Sequence, residues 1–202
     1  LCVWACDGDL VRDEAEACAE NENSWQDLCD EVDCSGVVAR AWPGMAVDNA
    51  QGGLIFYGGQ GASGQPFLHM NVERQVTDRC QDAACVSSIP PNRYKHGMDH
   101  VGSKNDVLVF GGRIESGDSL TDELWKFDGS VWSQLCVGDS ACTVDIDANG
   151  QADQDASGPS AREMPTFFYD RETGLFWLFG GKSAAGFLDD LWSFDLTTLA
   201  WT

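Results

Sequence analysis

A three-part unit recurs along this chain at fixed offsets, and no other feature limits its fold as tightly. Three times an apolar run ends in a pair of glycines: LIFYGG at Leu54 to Gly59, VLVFGG at Val107 to Gly112, and LFWLFGG at Leu175 to Gly181. An arginine stands 18 residues before the first glycine in every copy: Arg40 and Gly58, Arg93 and Gly111, Arg162 and Gly180. Five residues after each arginine comes a large apolar side chain, Met45, Met98 and Phe167. In two copies a tryptophan follows 21 residues after the first glycine, Trp132 after Gly111 and Trp201 after Gly180. Offsets held over three copies mark one supersecondary unit, which buries its apolar faces only by stacking on its neighbours.

Between the glycine pair and the tryptophan lies another alternating segment, LTDELWKFD at Leu120 to Asp128 and LDDLWSFD at Leu188 to Asp195. Period-two alternation, aromatic enrichment and punctuating Gly or Asp residues predict short strands, four to each unit. No segment sustains a helical period. An all-β chain is expected.

The strand that ends in Gly58-Gly59, Gly111-Gly112 or Gly180-Gly181, the aromatic third strand that ends in Asp, and the Trp that opens the fourth strand together resemble kelch repeats. That resemblance implies that each unit is one four-stranded blade of a β-propeller. The kelch period of about 50 residues suits the 53 residues from Arg40 to Arg93, while the 69 from Arg93 to Arg162 carry an insertion. The resemblance covers residues 37–202, with blades expected over 37–92, 93–158 (with an acidic insertion at 143–158) and 159–202. A partial, divergent blade is expected over 1–36: Trp25 precedes Cys29 as Trp132 precedes Cys136, while Ala5-Cys6 replaces the glycine pair. Val76 stands where the 37–92 unit should place its Trp. The expected fold is thus a fragment of a kelch-type β-propeller, three complete blades plus one partial. Blades hide their edges by ring closure, so a chain that opens inside a second strand and ends inside a fourth is expected to be part of a longer polypeptide.

Composition narrows the partners. Twelve Lys plus Arg against 33 Asp plus Glu leave a net charge of −21, which repels nucleic acid and anionic membrane surfaces. No apolar run is long enough for a membrane-spanning helix. Nine cysteines in 202 residues are many for a reducing cytosol, and none forms a CxxC, so disulfides in an oxidising compartment are expected rather than zinc. Three close pairs follow the fourth strands of successive units: Cys29-Cys34, Cys80-Cys85 and Cys136-Cys142. Cys6 and Cys18 form a fourth expected pair, leaving Cys2 for a partner elsewhere. The location implied is secreted, cell-surface or periplasmic.

The insertion carries a metal pattern. Asp145, Asp147 and Asn149 offer oxygen at alternate positions, Gly150 follows at the sixth, and Gln151 and Asp153 can add a carbonyl and a further oxygen. A hard cation such as calcium needs this alternation around a tight turn, and the segment resembles the calcium loops of EF-hand and thrombospondin-type repeats. Ala156 replaces the bidentate Glu of an EF-hand at its twelfth position. No organic cofactor is expected.

His96 and His100 share one blade with Tyr94, and His69 lies on another. Copper-radical oxidases share the kelch propeller, and their chemistry needs two His and two Tyr converging, one Tyr joined to a Cys. With three His and three Tyr in all, of which Tyr57 and Tyr169 lie inside strands, a structural role is expected for each histidine. Arg40, Arg93 and Arg162 recur at one blade position and are expected to satisfy carbonyls or to pair with Asp128 and Asp195, which close the third strands; the alternative is a ring of arginines lining a ligand channel. The function expected is a non-enzymatic extracellular binding or structural module for a protein or glycan partner, for copies of itself, or for the rest of its own chain. The alternatives are a copper-radical oxidase with ligands in further blades, and a subunit of a surface layer or filament.

Overall fold

A computed structural model describes residues 39–49, 51–62, 67–101, 105–136 and 158–202. The chain divides into two units, Leu1–Cys34 and Ser35–Thr202, and every described residue belongs to the second. The partial blade at 1–36, the pairs Cys29-Cys34 and Cys6-Cys18, the residue Cys142, and the proposed calcium ligands Asp145, Asp147, Asn149, Gln151 and Asp153 all lie outside the described residues.

The first blade is β1 (Gly44–Val47), β2 (Leu54–Tyr57), β3 (Phe67–Met70) and β4 (Val76–Asp78), paired in chain order. A six-residue helix, α1 (Ala83–Ser88), and β5 (Arg93–Tyr94) lead into the second. That blade joins β6 (Gly97–His100), β7 (Val107–Phe110), β10 (Leu124–Phe127) and β11 (Trp132–Cys136), while β8 (Arg113–Ile114) pairs with β5 on one side and β9 (Ser119–Leu120) on the other in a separate ribbon. The third blade is β12 (Thr166–Asp170), β13 (Leu175–Ser183), β14 (Gly186–Asp195) and β15 (Ala200–Trp201). The chain is all-β as the alternation predicts, with α1 as the one helical turn among the described residues. Its cap explains it: the Asp82 carboxylate accepts from the Cys85 backbone N–H at 2.7 Å, and Cys85 is disulfide-bonded to Cys80 with Cα atoms 5.3 Å apart.

Register is the same in every blade. Met45 opposes Phe56, Met98 opposes Val109, and Phe167 opposes Leu178, and Met98 and Phe167 each pack against the blade before their own. Two apolar layers follow from this. Ile55, Tyr57 and Phe67 of the first blade meet Met98, Val109 and Phe127 of the second. Leu108, Phe110 and Leu124 of the second meet Phe167, Leu178 and Phe194 of the third. Each fully buried side chain of this size contributes about 1.5–3 kcal/mol. The fourth-strand tryptophans reach back across both layers: the Trp132 ring lies 5.1 Å from Tyr57 and 5.0 Å from Phe67, and Trp201 lies 5.4 Å from Phe110.

The glycine pairs stitch blade to blade. Gly59 N–H donates to the Arg93 carbonyl and Gly112 N–H to the Arg162 carbonyl, both at 2.8 Å. All three pairs have positive φ, 67° and 90° at Gly111 and Gly112 for example, and a Cβ on Gly111 would come within 2.8 Å of the Arg162 carbonyl oxygen. No other residue type fits both demands.

Candidate functional site

The three repeat arginines do one job. Each donates Nη1 to the carbonyl of its own blade's first glycine: Arg40 to Gly58 at 3.2 Å, Arg93 to Gly111 at 3.4 Å, Arg162 to Gly180 at 3.0 Å. Arg93 and Arg162 are fully buried. Their carboxylate partners are Glu123, at 2.6 Å from Arg93 Nη2, and Asp190, at 2.5 and 2.7 Å from the two Nη atoms of Arg162. The same carboxylates accept from the indoles of Trp125 at 2.9 Å and Trp192 at 2.7 Å. The partners are therefore the acids two residues before the third-strand tryptophan, Glu123 directly ahead of β10 and Asp190 inside β14, not Asp128 and Asp195 beyond it. Those two cap turns instead, accepting from Ser130 and Val131 N–H and from Thr197 N–H. Arg162 holds the Asp190 carboxyl below the ordinary carboxylate range. The buried guanidiniums of Arg93 and Arg162, with every nitrogen bonded, stabilise the fold.

Two residues past each arginine the backbone turns left-handed: φ is 52° at Trp42, 56° at Lys95 and 54° at Met164. None of these side chains favours that region, which costs about 1 kcal/mol or more per residue. The turn is held across blades, since Lys95 N–H donates to the Trp42 carbonyl at 3.1 Å and Met164 N–H to the Lys95 carbonyl at 2.7 Å. Identical backbone thus carries an indole, an ammonium and a thioether in three successive blades at the Gly-Gly end of the sheets.

Around them lies a polar and aromatic cluster. The Lys95 ammonium sits 4.6 Å from the Trp42 ring and 5.7 Å from Tyr94, and 3.2 Å from Glu163 Oε2. Trp42 and Tyr94 stack at 6.0 Å. Arg113 Nε donates to the same Glu163 oxygen at 2.8 Å and Nη1 lies 3.5 Å from Asp118, which accepts from the Tyr94 hydroxyl. The Arg113 guanidinium holds Glu163 below its usual range, and the hydrogen bond to Asp118 raises Tyr94. Sequence reasoning missed this cluster, because Trp42, Lys95 and Met164 share no residue type; only their common distance from the arginine could have shown it.

The histidines lie elsewhere. His69 and His100 approach the buried Asp48 carboxylate at 3.6 and 3.4 Å, with Arg79 at 3.9 Å. His96 packs against Tyr57, ring centroids 5.3 Å apart, and burial, then the charge of Arg93, lowers it to about 3. The Tyr57 hydroxyl donates to the Pro90 and Pro91 carbonyls. Among the described residues no three His, Cys, Asp or Glu side chains are grouped to hold a metal ion.

No curated protein matches the chain. A family model described as the KLHDC2/KLHL20/DRC7 Kelch-repeats domain matches residues 44–202, the span that holds all three blades. With its repeated Arg, Gly-Gly and Trp positions now placed in matching blades, the chain belongs to that Kelch-repeat family, whose repeats build protein-binding β-propeller modules.

Proposed function

We propose that this protein is a non-enzymatic module that binds a polypeptide through the Gly-Gly end of its blades. One observation carries the reading: the left-handed turns at Trp42, Lys95 and Met164 repeat in backbone and differ in side chain. Positions that must only support the fold repeat their residue type, as Arg40, Arg93 and Arg162 do. A scaffold that holds geometry fixed while varying what it displays is suited to recognition, and Trp42, at 53% exposure, is the kind of aromatic that anchors interfaces. The test is a photo-reactive phenylalanine analogue at Phe187, 86% exposed beside the β13–β14 turn at that end, against one at Glu172 in the β12–β13 turn at the other. Capture of one defined polypeptide from the Phe187 position alone is expected. Capture from Glu172 alone overturns the reading.

A second reading, association through the outward sheet of the third blade with a further blade or another copy, is favoured by a separate observation. Phe179 is 51% exposed, whereas Tyr57 and Phe110, at the same register position, are buried between blades. Phe168 and Leu191 beside it are exposed as well. Sedimentation of Phe179→Asp against the parent tests it.

An oxidising compartment is part of the proposal, supported by the Cys80–Cys85 bond and the matching spacing of the other pairs. Calcium in the acidic insertion is supported by its alternating oxygen ligands, and a glycan partner remains the alternative to a polypeptide.

A further inference from the structure

We infer that the partner presents a lysine or arginine side chain to the corner formed by Trp42, Tyr94 and Glu163, taking the place that Lys95 holds in the free protein. The inference rests on the reading that the Gly-Gly end is the binding face, and it adds the chemistry of the ligand.

Lys95 identifies what the corner holds. Its ammonium is 4.6 Å from one ring, 5.7 Å from a second and 3.2 Å from a carboxylate oxygen, the combination of aromatic faces and negative charge that binds organic cations. Trp42, half exposed, is the accessible wall of the corner, while Tyr94 and Glu163 are buried with Lys95 in place. Displacing Lys95 strands no charge. Glu163 keeps Arg113 at 2.8 Å, and the long, flexible Lys95 side chain can swing into water. Asp118, 67% exposed on its side chain, adds an acceptor at the rim. The field of the whole chain points the same way: −21 overall steers cations inward and repels an acidic segment.

The experiment uses the full chain at physiological ionic strength with two labelled dodecapeptides, one alternating Arg and Ser, the other Glu and Ser, read by fluorescence anisotropy. The Arg peptide is expected to bind, and Trp42→Ala to weaken it about tenfold while Trp42→Phe keeps most of the affinity. Lys95→Met, which removes the resident cation and keeps an apolar stem, is expected to tighten binding several-fold when Trp42 is present and to give no gain in a Trp42→Ala background. Equal tightening in both backgrounds would be a general charge effect and overturns the inference, as does indifference to Trp42→Ala or preference for the Glu peptide. Thermal melts of each variant separate lost binding from lost fold. Capture at Phe187 is scored independently, so a partner cross-linked there that ignores Trp42 and Lys95 sinks the cation inference and leaves the binding face standing.

Discussion

Arg162 and Asp190 form a two-point ion pair across the third blade, Nη1 to Oδ1 at 2.5 Å and Nη2 to Oδ2 at 2.7 Å, with the arginine wholly buried. Nε and the remaining Nη2 proton are taken up by the Ser160 carbonyl at 2.9 Å and its hydroxyl at 3.2 Å. The pair therefore ties the segment before β12 to β13 and to the middle of β14.

Removing one half of this pair should cost more than removing both. Arg162→Ala strips the Gly180 carbonyl and Asp190 of their donor, and Asp190→Asn leaves a buried guanidinium without its carboxylate; each is expected to cost about 3 kcal/mol, the lower end for a broken buried pair because Asp190 keeps some access to water. Arg162→Lys loses the two-point geometry and should fall between. The double variant Arg162→Met with Asp190→Leu should recover part of the loss. Urea midpoints at constant m-value measure all four, and a double variant no better than Arg162→Ala would contradict this account.

Acid should destabilise the protein before its carboxylates titrate. His96 is held neutral, lowered from 6.5 to about 3 by burial first and by the Arg93 charge second. Between those values the unfolded chain binds a proton that the folded chain refuses, so stability falls as pH falls, by up to about 1.4 kcal/mol per pH unit. His100 is also lowered, chiefly by burial, and adds slope in the same direction. His96→Gln should flatten the stability curve between pH 6 and about 4.5 while leaving the His100 contribution. An unchanged slope would show that His96 opens to water or finds a partner when charged.

Reduction should loosen the junction between the first two blades. The Cys80–Cys85 bond closes a loop with a sequence separation of 5, for which chain entropy gives about 2 kcal/mol. It braces α1, whose Ser88 hydroxyl accepts from Trp132 N–H at 3.0 Å. Adding reductant, or Cys80→Ala with Cys85→Ala, is expected to lower the melting temperature and to speed amide exchange at Trp132 more than at Trp201.

The repeat was legible because spacing survives in sequence: 18 residues from Arg to Gly set a hairpin whose return strand brings the glycine carbonyl back to the guanidinium. The carboxylate partner was misplaced by five residues, Asp128 for Glu123 and Asp195 for Asp190. Leu124 opposes Phe110, so the entry of β10, and with it Glu123, lies next to Gly111, whereas Asp128 lies a strand length away. The regularity was present, since Glu123 and Asp190 both stand two residues before a tryptophan. The left-handed turns at Trp42, Lys95 and Met164 left no trace in residue type, because the hydrogen bonds between blades impose them against local preference. The grouping of His69 and His100 about Asp48 depends on the packing of two blades, which no local pattern encodes.

The last prediction compares one register position in two blades. Phe110 and Phe179 each precede the glycine pair and each oppose the third-strand residue just before its tryptophan, Leu124 and Leu191. Phe110 is buried against Phe167 and Trp201, ring centroids 6.3 and 5.4 Å away, while Phe179 is half exposed. Deleting a buried phenylalanine removes its transfer free energy and leaves a cavity, so Phe110→Ala is expected to cost about 3–5 kcal/mol. Phe179→Ala in the same 202-residue chain gives up only partial burial and leaves no closed cavity, so about 1 kcal/mol or less is expected. Equilibrium denaturation of the two variants side by side decides the matter. Similar losses would mean that the outward sheet of the third blade is covered in solution, and concentration dependence of the Phe179→Ala midpoint would then tell whether a second copy covers it.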